Sequence, residues 1–594
     1  MRYIGTAREE IHVPIYEWLL TNRGIAKKDI FNYLNTTDEH DIVDYKLLGE
    51  QQLRAAAGAI LKAIYDGEKA LLVVDCDCDG YTSAAILYNY LYTQYPDWTY
   101  ANLDFYIHEG KEHGLHDCID KAENYKLVLC PDSASNNYNE HKRIVNNGGT
   151  VIVLDHHLAD KISPDAIIIN NQLSNYTNKE GSGATVTWQF CRYLDENLFH
   201  SNKIDDFLDL VALGSDADMM DLRSFETKHL MNKGFGHIKN PFIFGMAKKN
   251  AFSLGPKVTP IGAAFYIAPM VNAITRSGTL DEKTLVFKSM LIPFANQLIL
   301  SNKRGHKLGE EEKLIDQALR CATNVKNRQT KAQDKGMEHL ESLIEEKHLL
   351  DDKVLLFLLN PGEIDKNIAG LIANKFMAKY QRPCCILTKV INGDGAVSYQ
   401  GSARGCDRTG VNNFKDICAE TGCTLYEEGH QGAFGLGIRF SEPGAEEVQG
   451  EDILAFLEKT NKALKDISDE PIYWVDYIFE ENNIDTDAII SIADHDYLWG
   501  KDVDEPFVYI KNLKITKDMI QLLKNTTIKI SLPNNCSIIK FGTDEEEFNK
   551  LYSENGFVEI NAVCQCRVNE WCGSRNPQLL LVDYEVVDSV AFIF

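Results

Sequence analysis

Ala70-Leu-Leu-Val-Val74 runs directly into Asp75-Cys-Asp77-Cys-Asp79-Gly80, and the reading of this stretch decides the fold. A short apolar run bounded by turn signals reads as a buried strand. The following Thr82-Ser-Ala-Ala-Ile-Leu87 reads as the start of a helix with small residues for close packing. Aspartates at the carboxyl end of a strand stand where open α/β sheets place their sites. On an extended segment the alternation puts all three carboxylates on one side. Like charges that close repel one another. Divalent cations held by oxygen ligands are the expected neutraliser, and they imply hydrolytic or phosphoryl chemistry. The competing reading is a calcium loop, which needs an acidic ligand at its twelfth position counted from Asp75. That position is Ile86, so the calcium loop is excluded.

The same pattern repeats downstream. Leu127-Val-Leu129 and Val151-Ile-Val-Leu154 read as further short strands. Lys142–Asn147 between them suits a helix end, and Gly148-Gly149 suits its stop. Alternation of strand and helix from 51 to 280 predicts a doubly wound parallel sheet. Each strand delivers an acidic or histidine element: Asp132 in Cys130-Pro-Asp-Ser-Ala134, then Asp155-His156-His157, then Asp218 in Val211-Ala-Leu-Gly-Ser-Asp-Ala-Asp-Met219. Four such elements on one sheet edge converge. Their carboxylates and imidazole suit two manganese or magnesium ions, with the mixed oxygen and nitrogen donors leaning towards manganese. Two such ions activate water and stabilise the leaving oxygen of a phosphodiester.

Beyond this domain, residues 1–50 read as a polar helical cap. Residues 281–350 lose strand signals and read as a long helical connector bearing Lys303, Arg304, Lys307, Lys326, Arg328, Lys331 and Lys335. A second α/β domain follows over 351–465, with strands at Val354–Leu359 and Pro383–Leu387 and a helix over Asn367–Tyr380. Residues 466–505 read as an acidic linker. Residues 506–594, rich in β-branched and aromatic runs, read as a small β-barrel.

Composition narrows the partners. At 594 residues several domains are expected. No apolar run approaches the length of a membrane span, and the N-terminus lacks the apolar core of a signal peptide. The 15 cysteines are scattered, as in a reduced cytoplasmic protein. Cys564-x-Cys566 with Cys572 lacks a fourth zinc partner. The net charge of −26 argues against a general polyanion binder, but 19 Asp/Glu against 4 Lys/Arg in 441–510 account for −15 of it. The rest of the chain carries −11, so a single strand can still be tracked locally by basic residues. The acidic stretch is a candidate docking surface for a basic partner.

The order Asp-x-Asp-x-Asp-Gly, lone Asp, Asp-His-His and Ala-Asp resembles the DHH phosphoesterase superfamily. The second domain resembles its DHHA1 companion through Asn367-Ile-Ala-Gly370, Gly401-Ser-Ala-Arg404 and Glu428-Gly-His-Gln-Gly-Ala433. Asn272-Ala-Ile-Thr-Arg276 resembles an element of the RecJ branch. Trp499–Pro506, read as opening the barrel, and Trp571 with Gln578–Asp583 resemble that branch's OB-fold. The resemblance implies a RecJ-like 5′→3′ exonuclease of single-stranded DNA, in a phage or prophage form, using Mn²⁺ or Mg²⁺ in DNA recombination, repair or replication.

It further implies Asp77, Asp79, Asp132, His156 and Asp218 as metal ligands, with Asp75 a ligand or a supporting carboxylate. His157 would meet the scissile phosphate and Asp155 would orient a histidine. Asn272, Arg276 and His430 would bind substrate, and Ser402 and Arg404 would hold the 5′ end. His108 falls where relatives place an arginine on the 5′ phosphate. The chain departs from the family's pattern at Val73-Val74, Cys76, Cys78, Ser133-Ala134 and Glu428. Two other readings stand beside this one. A phosphodiesterase of short oligonucleotides or cyclic dinucleotides would share both catalytic domains but need no barrel, which can hold single strands by stacking on Trp499, Trp571 or Tyr584. A non-catalytic replication scaffold of this fold would have lost its ligands.

Overall fold

The computed structural model describes residues 2–5, 14–393, 395–441, 450–468, 470–480, 483–571 and 573–591. They fall into two compact units. The first comprises Leu20–Asn327 and His495–Glu505; the second comprises Met1–Leu19, Arg328–Asp494 and Pro506–Phe594.

The first unit is built on five strands: β1 (Ala70–Val74), β2 (Leu103–Ile107), β3 (Leu127–Pro131), β4 (Thr150–Asp155) and β5 (Ile167–Asn170). Their order is β2-β1-β3-β4-β5, and every neighbouring pair is parallel. Leu71, Val73, Val128, Cys130, Val151 and Val153 pack with Leu115, Cys118, Ala122 and Ile144 on one face. The alternate residues Leu72, Val74, Leu129, Ile152 and Leu154 are equally buried. A sheet covered on both faces explains why β1 is apolar throughout and does not alternate. From β1 the chain steps outward to β2 and then returns to β3 on the other side. That reversal opens a crevice at the carboxyl ends of β1 and β3.

The three aspartates do not alternate along an extended segment as expected. The strand stops at Val74, Asp77 is the N-cap of helix α1 (Cys78–Gln94), and Asp79 lies in its first turn. Aspartate is a strong N-cap, so the helix starts ahead of the expected Thr82. Helix α2 (Gly183–Leu194) and helix α3 (Leu208–Ala217) follow. Asp218 is the C-cap of α3 and does not follow a strand. Its apolar run is too short for periodicity to separate a buried strand from a buried helix.

Residues 281–350 are not wholly helical. Leu298–Leu300 and Glu311–Lys313 form a small antiparallel hairpin, and Lys303, Arg304 and Lys307 lie in its loop. The helix Leu314–Glu346 carries the other basic residues. Residues 1–50 include short helices such as Ile15–Asn22 and Ile30–Leu34, but Arg2–Gly5 is a strand paired in parallel with Ile472–Val475.

In the second unit, five strands order as Thr424–His430, Ala433–Ser441, Val397–Arg404, Cys384–Ile391 and Leu355–Leu359, parallel only in the last pair. A seven-stranded sheet holds Tyr477–Glu480 and the strands from Phe507 to Ala591. The expected acidic linker is therefore structured. Tyr473, Val475, Phe479, Ile489 and Ile492 are buried in it, because a few spaced apolar residues outweigh the surrounding charge. Of the acidic stretch, residues 442–449, 469, 481 and 482 lie outside the described residues. Trp499 does not open the barrel: it is buried in the first unit, where the N–H of Leu222 donates to the Lys501 carbonyl at 3.1 Å. Cys564 and Cys566 are buried, and Cys572 lies outside the described residues. Among the described residues no helix is long and apolar enough to cross a membrane.

Leu129 sits without exposed surface on the central strand. Leu129→Ala is expected to cost about 2–5 kcal/mol, read as a lower urea midpoint for the transition of this unit.

Candidate metal centre

The crevice at the ends of β1 and β3 gathers the acidic residues. Asp132 follows β3 with a left-handed backbone (φ 65°), its N–H donating to the Leu154 carbonyl at 2.7 Å. Both of its carboxylate oxygens are buried without a hydrogen-bond partner among the described residues. The Nε2 of His156 lies 3.2 Å from Asp132 Oδ1, 3.4 Å from Asp218 Oδ2 and 3.9 Å from Asp79 Oδ2, and it too lacks a hydrogen-bond partner among the described residues. Short distances without hydrogen-bond geometry mean that these atoms converge on a shared point. Ligand atoms lie within 4.8 Å of one another in four overlapping groups here: Asp79, His156 and Asp218; Asp75, Asp77 and Asp132; Asp132, His156 and His157; and Asp75, Cys76 and His113. Asp132 belongs to two of them. The donors, carboxylate oxygens with a neutral imidazole, suit Mn²⁺ or Mg²⁺.

Four of the carboxylates are aimed by backbone or by a neighbour. Asp79 accepts from the N–H groups of Gly183 at 2.7 Å and Ala184 at 3.1 Å, at the positive end of helix α2. Asp77 accepts from the Gly80 N–H at 2.9 Å. Asp75 accepts from His113 Nδ1 at 2.6 Å and from the Gly114 N–H at 3.2 Å, one bond on each oxygen. Asp155 accepts from the N–H groups of Ser135, His156 and His157 and from His157 Nδ1 at 2.8 Å. The histidine that Asp155 holds is His157.

Charge follows from these contacts. Burial, and then repulsion from neighbouring carboxylates, pushes Asp77 and Asp132 up and takes Asp218 to about 8, while burial alone raises Asp79 against the hydrogen bonds it accepts. Burial lowers His156 to about 4, leaving the neutral imidazole a ligand requires. Burial acts downward on His157 as well, but the Asp155 hydrogen bond and charge outweigh it and hold His157 at about 9. The two histidines of the pair therefore differ: His156 is held towards the neutral form and its half-exposed neighbour His157 towards the cation.

Close packing makes the cluster possible. A Cβ on Gly183 would lie 2.2 Å from Asp132 Oδ1, and one on Gly214 would lie 2.3 Å from Asp79 Oδ1.

The substrate-binding expectations divide. Arg276, on helix α4 (Ala268–Ser277), is mostly buried and feels the charge of Asp77, with no ion pair among the described residues. Asn272, one turn earlier, has a buried Oδ1 without a partner. His108 is corrected: it is buried, its Nδ1 lies 2.8 Å from Asp117 Oδ1, and it presents no surface to a phosphate. The half-exposed histidine of that loop is His113, which the sequence reading passed over because β2 was not recognised. Hydrogen bonds from Asp75 and then Cys76 push His113 up to about 11. The buried Lys283 was also missed. Its Nζ donates to the carbonyls of His108 at 2.9 Å, Glu109 at 2.7 Å and Gly110 at 3.3 Å, pinning the loop that carries His113.

In the second unit Ser402, Arg404 and His430 share one region of the mixed sheet. Arg404 and His430 both pair with Ala433 from opposite sides. A Cβ on Gly370, at the start of the helix Ala369–Tyr380, would lie 2.4 Å from Arg404 Nη2 and 3.3 Å from Ser402 Oγ.

A crevice of carboxylates with two aspartates shared between ligand groups, on a 2-1-3-4-5 parallel sheet, is the centre of a DHH phosphoesterase. The chain matches the DHH family, N-terminal domain, over residues 69–215 and the RecJ OB domain over 475–583. It is 32% identical over 575 residues to the putative SPbeta prophage-derived single-strand DNA-specific exonuclease YorK of Bacillus subtilis (strain 168), covering 96% of this chain and 95% of that protein. It is 25% identical to the single-stranded-DNA-specific exonuclease RecJ of the same organism, over 98% of this chain and 69% of that one. The crystal structure of RecJ in complex with Mn²⁺ from Thermus thermophilus superposes with a TM-score of 0.67 at 18% identity, covering 99% of this chain and 80% of that one. The chain belongs to the DHH family of single-strand DNA-specific exonucleases that includes YorK and RecJ.

Two outcomes test the geometry. Gly183→Ala should weaken Mn²⁺ binding at least tenfold by calorimetric titration, whereas Gly236→Ala, where a Cβ meets nothing within 4 Å, should leave it unchanged. Lys283→Met should free the His113 loop and raise the Mn²⁺ concentration needed for half-maximal hydrolysis of a phosphodiester, with kcat at saturating Mn²⁺ largely retained.

Proposed function

We propose that this protein hydrolyses single-stranded DNA from its 5′ end and releases 5′-mononucleotides. The observation that carries the hydrolytic reading is Asp132, whose two buried, unpartnered oxygens face ligand groups on either side. Asp77, Asp79, Asp132, His156 and Asp218 would hold two ions, and Asp75 would complete the set while tethered to His113. When bound, Mn²⁺ or Mg²⁺ activates water and neutralises charge on the phosphate.

The chain's own groups do the rest. His157, cationic and held by Asp155, faces the phosphate under attack and steadies its developing negative charge. Arg276, without an ion-pair partner among the described residues, binds a phosphate beside Asp77, and Asn272 supports it. Ser402, Arg404 and His430 form an anion-binding group suited to the terminal phosphate, with a helix N-terminus adjoining. The OB domain supplies a surface for the single strand. Described carboxylates of the acidic stretch 441–510 offer a docking surface for a basic partner, such as a replication or recombination protein.

The decisive experiment incubates the protein and Mn²⁺ with 5′-labelled single-stranded DNA, duplex DNA, RNA and a cyclic dinucleotide. Release of labelled mononucleotide from single-stranded DNA is expected. Hydrolysis confined to the cyclic dinucleotide, or release beginning at the 3′ end, would overturn the proposal. Asp132→Ala should lower the rate by at least a thousandfold on whichever substrate is cleaved.

A further inference from the structure

Between Glu226 and Asp281 the chain holds no acidic residue. At the overall density of 87 acidic residues in 594, these 54 positions (227–280) would carry about eight, since 54 × 87/594 ≈ 8. They carry seven lysines and arginines instead. Some are committed within the fold: Lys228 is buried, Lys233 pairs with Asp38 and Asp205, and Lys239 pairs with Asp206. Lys248 and Lys257 are exposed and have no ion-pair partner among the described residues.

Three short helices, Pro241–Lys249, Ala251–Leu254 and Pro260–Tyr266, build this part of the first unit. They present phenyl rings to solvent: Phe244 is 58% exposed, Phe252 103% and Phe265 71%. The Asn250 side-chain amide donates to the Tyr266 carbonyl at 3.4 Å and ties the segments together. Exposed large apolar side chains grouped in this way mark an interaction surface. Interleaved with unpaired lysines, they match the chemistry of a single strand, whose bases stack on aromatic faces while its phosphates meet cations. The helix Pro260–Tyr266 is followed at once by α4, which carries Arg276 beside Asp77.

We infer that the surface of Phe244, Lys248, Phe252, Lys257 and Phe265 binds the part of a single DNA strand that lies beyond the nucleotides held at the metal centre. The inference rests on the exonuclease reading for its substrate. An acidic peptide would satisfy the lysines but leave the three rings without a reason for exposure.

The test compares the full chain with two double variants, Phe252→Ala/Phe265→Ala and Lys248→Gln/Lys257→Gln. Binding of a fluorescent dT30 is followed by anisotropy in chelator, without hydrolysis. Loss of the rings should weaken binding about tenfold or more. Loss of the lysines should flatten the dependence of log K on log salt by about 1.4, at roughly 0.7 per phosphate contact. With Mn²⁺, the KM for dT30 should rise in both variants while the kcat/KM for a trinucleotide stays unchanged. Unaltered dT30 affinity in both variants overturns the inference. So does a change seen only with an acidic peptide or with anionic vesicles. A parent protein that binds dT30 through this surface but hydrolyses no single strand would refute the exonuclease reading and leave the surface standing.

Discussion

Mutual repulsion among buried carboxylates is the constraint on which this structure turns. Asp75, Asp77, Asp79, Asp132 and Asp218 share one crevice, and burial raises the cost of the charge on Asp77, Asp79, Asp132 and Asp218. The fold offsets that cost piecemeal. It places the helix α2 N-terminus on Asp79, a protonated His113 on Asp75 and the α1 backbone on Asp77. The Asp132 oxygens have no hydrogen-bond donor among the described residues, and the cost left on that carboxylate is the part that a divalent cation would relieve.

Backbone approach sets how tightly the cluster can be drawn. Gly183 and Gly214 stand where any side chain would occupy the space of a carboxylate oxygen. The parallel sheet supplies the frame, because strands buried on both faces leave little freedom for the loops at their carboxyl ends. Lys283 extends the same logic to the His113 loop by gathering three successive carbonyls that would otherwise be free to reorient.

Much of this was legible in the sequence, for reasons that differ by residue. β1, β3 and β4 showed themselves because strands buried on both faces are apolar throughout, and Asp132 and the Asp155–His157 run declared themselves by following such strands. β2 hid because Asp104 and Tyr106 break its apolar run, and His113 went unseen with it. The role of α3 was misread because a short apolar run does not distinguish strand from helix. Lys283 carried no local signal, since its partners lie some 175 residues away. The strand at Arg2–Gly5 and the ordered segment around Tyr473 were equally silent, as their pairing depends on a partner at the far end of the chain.

That last pairing has a temporal side. The five strands that carry the metal centre are complete once Asn170 has been made. Arg2–Gly5 pairs in register with Ile472–Val475, so its partner is synthesised some 470 residues later. At about 5–20 residues per second, Arg2–Gly5 waits roughly 25–90 s for the strand that receives it. The parallel sheet of the first unit can therefore assemble on the nascent chain well before Arg2–Gly5 finds its place.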